Sequence, residues 1–458
     1  MSRVCLPNGW MAVLVAVVFS HNAARASQPD PNAAVDRGRR AVRTTLSPLA
    51  VSTRAYEDAW KQWGLGERPA DYELAFRSRY GLHEVPYENG ALPTGLHEIP
   101  GPFGIGRAIA HDCLLCHAGS IAGQTLIGLG NASLDFQSLY EDLSAGDLVS
   151  WKLPFNLSNG RGIIEASAGT TFLLQFRDAE LNMQPAIELH YRDDLYQDIP
   201  AWWHLKRKKT MFHTGSTDVR SVRANLTFLL APVNSAGYIK KHEPVVADIK
   251  AYLLTIEPPK YPFPIDQSLA ASGERVFGKH CAKCHGTYGP DGVYPNKVVP
   301  IELVGTDPTL VNWVAGLSEK DKDYYSKSWL FRETGADGEP YHGLNGGGYQ
   351  APPLDGVWAT GPYFHNGSVP TVYHVLNSES RPAVYTRSFA TGPDEYDQDR
   401  LGWKITVLDQ APSAGLPAFE RRKICDATRP GRSNRGHTFG DALAEHERMA
   451  VIEYLKTL

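Results

Sequence analysis

The chain has 458 residues, 42% hydrophobic, 21% charged and 10% aromatic. That composition excludes collagen-like, coiled-coil and wholly disordered chains, and the length predicts two or three domains. Its 42 glycines and 32 prolines predict abundant loops. A formal charge of −4, with Lys206-Arg207-Lys208-Lys209 as the one basic run, leaves no footprint for nucleic acid.

Residues 1–26 carry Arg3, an apolar stretch from Trp10 to Phe19, and Ala24-Arg25-Ala26. A basic start, a short apolar run and an A-x-A exit predict a cleaved secretory signal peptide, and the run is short for a membrane span. Cleavage after Ala26 removes two arginines and no acid, taking the charge from −4 to −6. The expected location is periplasmic or secreted, with no integral membrane span after cleavage. Cys5 precedes the apolar run and marks no lipoprotein.

Along residues 27–265, Tyr56 to Trp63 and Asp71 to Tyr80 predict short helices. Ala110 to Cys116 enters Cys113-Leu114-Leu115-Cys116-His117, and Leu134 to Leu143 predicts another helix after it. The helix-like run Val245 to Ile256 ends at Pro258-Pro259-Lys260-Tyr261-Pro262-Phe263-Pro264. Consecutive prolines stop a helix and stiffen a linker, which places a domain boundary there. Residues 266–458 then open with a helix from Asp266 to His280, capped by Asp266, with Leu269, Gly273, Val276 and Phe277 on one face. It leads into Cys281-Ala282-Lys283-Cys284-His285. A long Gly- and Pro-rich insertion, about 287–436, includes Gly346-Gly347-Gly348, and Asp441 is positioned to cap a final helix.

Four of the five cysteines beyond residue 26 thus lie in two copies of C-x-x-C-H; the fifth is Cys425. This is the covalent c-type haem signature. Two thiols three residues apart reach one edge of the porphyrin, and the next residue, His, comes under the iron. The motifs predict two covalently bound haem c groups on Cys113, Cys116, Cys281 and Cys284, with His117 and His285 as iron ligands. Competing readings are a zinc site, a redox C-x-x-C pair or local disulfides. Zinc would need convergence across the stretch between Cys116 and Cys281, and a redox pair would want a βαβ setting that is absent from the pattern. The predicted fold class is mainly α with long loops, two cytochrome-c-like haem domains and few short strands.

The stretch from Gly356 to Pro370, with its core Tyr363-Phe364-His365-Asn366-Gly367-Ser368-Val369-Pro370, resembles a block shared by the bacterial dihaem cytochrome c peroxidase superfamily. That superfamily includes MauG-like enzymes and rubber oxygenases. Ala351-Pro352-Pro353-Leu354, Thr371-Val372-Tyr373, Ile199 to Trp203 and Ser433 to Gly440 look closest to the rubber-oxygenase-like branch. Characterised rubber oxygenases are longer. In the superfamily's peroxidases a methionine downstream of the His365 position ligates the electron-donating haem. The corresponding place here is near Glu379, and no Met occurs between Met211 and Met449.

The resemblance implies roles for further residues. His437, just before the last helix, is the candidate distal ligand of the C-terminal haem; a surface loop histidine is the competing reading. His365 is expected beside a haem as a hydrogen-bonding group, or simply in a turn. Trp202 and Trp203 are candidates for an electron relay or ordinary core residues. Phe212 would line a distal pocket or pack in the core. His111, His190, His204 and His213 compete without distinction for the N-terminal haem, which the resemblance implies is open and reactive. An oxidoreductase using peroxide or dioxygen, served by a small redox protein as donor or acceptor, is the first functional reading. A non-catalytic dihaem electron carrier is the second, although the chain is long for a mere carrier.

Overall fold

A computed structural model describes residues 31–46, 50–101, 106–147, 153, 155–343 and 347–458. The signal-like segment 1–26 and Gly346 lie outside them. Among the described residues, no helix is long and apolar enough to cross a membrane.

The architecture is a set of short helices joined by long loops, with sheets of two or three short strands. Aspartates set several helix starts: Asp71 accepts from Leu74 N, Asp135 from Ser138 N, and Asp266 from Ser268 N and Leu269 N. These caps satisfy backbone donors that the helix itself leaves unpaired. They begin the helices Tyr72–Tyr80, Phe136–Ala145 and Gln267–His280. The stretch expected as one helix over 56–63 is instead a turn of α-helix, Thr53–Glu57, followed by a 3-10 segment, Ala59–Trp63.

The approach to the first motif is a strand, Arg107–His111. It is the centre of an antiparallel sheet flanked by Ala50–Ser52 and Leu96–Pro100, and burial of Ala108, Ile109 and Ala110 there overrides their helical preference. The last helix runs Glu445–Leu455 and starts at Ala444, whose N–H donates to the Glu447 carboxylate. Asp441 is engaged elsewhere, accepting from Ser378 N at 2.8 Å and Ser378 Oγ at 2.6 Å.

Gln267–His280 packs against Glu445–Leu455. Their approach is so close at Gly273 that a Cβ there would stand 1.8 Å from the Ala450 carbonyl oxygen. Pro31–Ala41 lies on Glu243–Leu253 in the same manner at Gly38, reinforced by Arg37 to Asp248 at 2.7 Å.

One apolar cluster joins both halves. Ile121, Leu129, Ala201 and Trp203 meet Phe277, Trp358, Val451 and Ile452, and Tyr261 and Phe263 of the Pro-rich segment pack against them. The Trp358 indole N–H donates to the Pro259 carbonyl at 2.8 Å. The Pro-rich segment is therefore part of the core as well as a connection.

Candidate functional site

At the first motif, Asp112 Oδ1 accepts from Leu114 N at 2.8 Å and starts the short helix Leu114–His117. The chain passes so close to Gly95 that a Cβ there would meet the Leu115 backbone at 2.2 Å. Cys116 and His117 carbonyls accept from Asn131 N and Gly128 N, both at 2.8 Å. This pins the motif between two backbone strands. The His117 ring stacks on Trp202, with centroids 4.6 Å apart and planes 22° apart. Burial pushes its pKa down to about 4, opposed by the Pro200 carbonyl, yet its Nδ1 has no hydrogen bond of good geometry.

At the second motif, His285 Nδ1 lies 2.9 Å from the Pro352 carbonyl, and the Tyr288 hydroxyl donates to the His285 carbonyl at 3.0 Å. An Nδ1–H donated to a carbonyl fixes the ring and leaves Nε2 as a neutral ligand atom. The His437 ring faces it, with centroids 6.2 Å apart at 60°. Two imidazoles on opposite sides of one metal ion need about this spacing: about 2 Å for each metal–nitrogen bond plus about 1 Å from each nitrogen to its ring centre. His437 Nδ1 is buried without a partner, and Phe364 and Phe439 flank the ring at 5.9 and 5.1 Å. The loop carrying it is held by Arg381, whose guanidinium donates to the carbonyls of Asn434 at 2.6 Å, Gly436 at 2.7 Å and His437 at 3.3 Å. No motif marked Arg381, because its partners are all backbone.

The four motif cysteines are free thiols and partly accessible, while Cys425 is a buried free thiol. Burial pushes Cys113, Cys116 and Cys281 up to about 12, so they are thiols rather than thiolates. Among the described residues no three His, Cys, Asp or Glu side chains gather as a metal site. Free thiols one turn apart, each pair followed by an imidazole, fit covalent haem.

Trp202 and Trp203 lie between the motifs. Trp202 covers His117, and the buried Trp203 donates from Nε1 to the Asp355 carbonyl at 2.8 Å. His204 Nε2 is 3.0 Å from that carbonyl, and Arg207 pairs with the Asp355 carboxylate at 2.9 Å while donating to Thr287 O at 3.0 Å. The segment 202–207 therefore runs from the first motif's histidine to the loop that fixes the second's.

Phe212 departs from the core position weighed for it. Its φ is +64° and 46% of it is exposed, because the turn after Thr210–Met211 buries Met211 and turns Phe212 out. His365 is buried, stacked on Tyr349 at 3.9 Å and 16°, and 6.2 Å from His213. Its carbonyl accepts from Asp198 N at 2.7 Å, and His213 Nε2 is 3.1 Å from the Asp198 carbonyl. Burial holds the Asp198 carboxyl well above the usual carboxylate range. Sequence reasoning missed Asp198, since a single acid before Pro200 carries no pattern. Of the other histidines, His190 docks through its backbone N–H on Asp321 at 3.0 Å, and the His111 ring meets Phe136 at 6.4 Å.

Residues 348–386 match a family described as RoxA-like, cytochrome c-like. This segment is cytochrome c-like, and the cofactor class it implies is haem c. It contains Tyr349, Pro352, Asp355 and His365, and neither C-x-x-C-H motif. Two uncharacterized proteins of Sinorhizobium fredii are similar to the chain. One, y4iM, is 29% identical over 296 residues, 57% of this chain and 64% of its own. The other, y4iJ, is 30% identical over 262 residues, 44% of this chain and 41% of its own. The chain spans less than two thirds of the length of either.

Proposed function

We propose that the protein is an exported dihaem c-type oxidoreductase in which one haem is closed by two histidines and the other is open. The observation that carries this reading is an asymmetry between the motifs: His285 faces His437 at 6.2 Å, whereas the ring against His117 is the indole of Trp202. Haem iron supplies one-electron redox chemistry and, where a coordination position is free, activation of peroxide or dioxygen. Cys113, Cys116 and His117 would hold the reactive haem; Cys281, Cys284, His285 and His437 would hold the electron-transferring one. Trp202 and Trp203 form the relay between them. Asp198, whose backbone bonds His365 and His213 and whose carboxyl burial holds above the usual carboxylate range, is the residue we assign to proton supply. A small redox protein supplies or accepts electrons at the surface.

The purified holoprotein is to be assayed in two ways. Turnover of peroxide with a reduced small cytochrome, without cleavage of polyisoprene, identifies a peroxidase. Cleavage of polyisoprene under dioxygen without added reductant identifies an oxygenase. Neither activity, with full reversible reduction of both haems, overturns the enzyme reading in favour of a carrier.

A further inference from the structure

A cavity of about 30 Å³ is lined by Arg161, Arg387, Arg422, Lys423 and Arg432, with no acidic residue among the described residues of its wall. Arg422 is paired with Asp135 at 3.0 Å and Lys423 with Glu420 at 3.0 Å. Among the described residues, Arg161, Arg387 and Arg432 make no carboxylate ion pair.

These three guanidinium groups are held by aromatic faces and backbone carbonyls instead. Arg387 lies between Trp403 and Phe389, at 4.0 and 4.3 Å; Arg161 lies on Phe389 at 4.6 Å and Arg432 on Tyr196 at 5.2 Å. Arg161 donates to Ser133 O at 2.7 Å and Arg387 to Ala132 O at 2.7 Å. Arg387 Nη1 and Arg432 Nε are buried with no hydrogen-bond partner, and Arg432 is only 4% exposed. Burial, with repulsion from Arg161, pushes Arg387 down to about 9, and burial takes Arg161 to about 10. Glu165, the carboxyl that acts electrostatically on Arg432, is itself pushed up to about 8 by burial and stays neutral at pH 7.

Asp135 and Glu420 act electrostatically on Arg161, and Glu395 on Arg387, without pairing with them directly; the unmade buried donors stay costly unless an acceptor completes them. We infer that Arg161, Arg387 and Arg432 form a binding site for a carboxylate group. The class follows from size and geometry. A water takes about 10–15 Å³ on this measure, so the cavity holds a three-atom carboxylate and not a tetrahedral phosphate. Planar guanidinium forks match the carboxylate plane. Phe389 also lines a larger cavity of about 370 Å³, with Arg77, Ser78 and Thr391 in its wall. The carboxylate is either a free small acid, which requires no haem, or a haem propionate, which rests on the proposed haem reading.

The test titrates the holoprotein with sodium formate, using sodium chloride at equal ionic strength as control, and follows the thermal midpoint and the calorimetric heat. A free-acid site gives saturable binding at one formate per chain. Half-saturation then rises about tenfold in Arg387→Gln and in Arg432→Lys, the latter keeping charge and losing the fork. A propionate site gives no formate binding in the wild type, but Arg387→Gln then shifts the midpoint potential of one haem. No formate binding together with unchanged potentials in both variants overturns the proposal.

Discussion

His437 occupies its position against local preference. Its backbone is in the left-handed region, φ 47° and ψ 52°, which costs a non-glycine residue about 1–2 kcal/mol. The surrounding bonds hold it there: Gly436, φ +75°, lies against the Gly305 backbone, and Arg381 takes the three carbonyls of this loop. His437→Ala removes the ring and keeps those bonds, so the chain should fold while the C-terminal haem loses its low-spin visible spectrum. An unchanged spectrum in that variant would take His437 out of the coordination.

Glu165 offers a separate residue-scale prediction. Its folded carboxyl titrates at about 8 because of burial, against 4.5 unperturbed, and its Oε2 has no partner. Between those values the unfolded chain binds fewer protons, so stability falls as pH rises, by up to about 1.4 kcal/mol for each pH unit. Below that window both states are protonated and nothing more is gained. Glu165→Gln should flatten the urea midpoint between pH 5 and 8, a range set by about those two pKa values, and be more stable than wild type at the upper end. The same slope in the variant would show that another group carries it.

Two glycines of one helix separate packing from propensity. In Gln267–His280, Gly273 meets the Ala450 backbone, whereas a Cβ at Gly278 meets nothing within 4 Å. Gly273→Ala must push the helices apart and should cost about 3 kcal/mol or more. Gly278→Ala should gain about 0.5–1 kcal/mol. Urea unfolding of the two variants checks both, and equal effects would contradict the crossing geometry. These helices were legible because Asp266 caps the first and an apolar face runs along it. The strand Arg107–His111 and the start at Ala444 were not, because each is decided by a distant partner: two flanking strands in one case, Ser378 claiming Asp441 in the other. Strands of two or three residues, such as Thr210–Met211, are too short for any alternation to register.

Over the whole molecule, function depends on how the two motifs are held relative to each other. The motifs could be read from residue type and spacing, and His437 is singled out by the family resemblance. The Pro200 and Pro352 carbonyls, Arg381 and Asp198 could not, since backbone acceptors and single charged residues leave no pattern. Trp203 ties the halves through the shared core and the Asp355 carbonyl. Trp203→Phe keeps an aromatic ring and loses that bond, so it should cost about 1 kcal/mol of stability and slow electron passage between the haems. Stopped-flow reduction by a small donor, resolving the two haems spectrally, reads this directly; unchanged kinetics would remove Trp203 from the relay.

The central claim is one closed and one open haem in a single chain. Low-temperature EPR of the oxidised holoprotein, with spins counted per haem, tests it most directly. The account predicts one low-spin and one high-spin iron per chain. Two low-spin irons that stay low-spin on partial reduction would contradict it and leave an electron carrier.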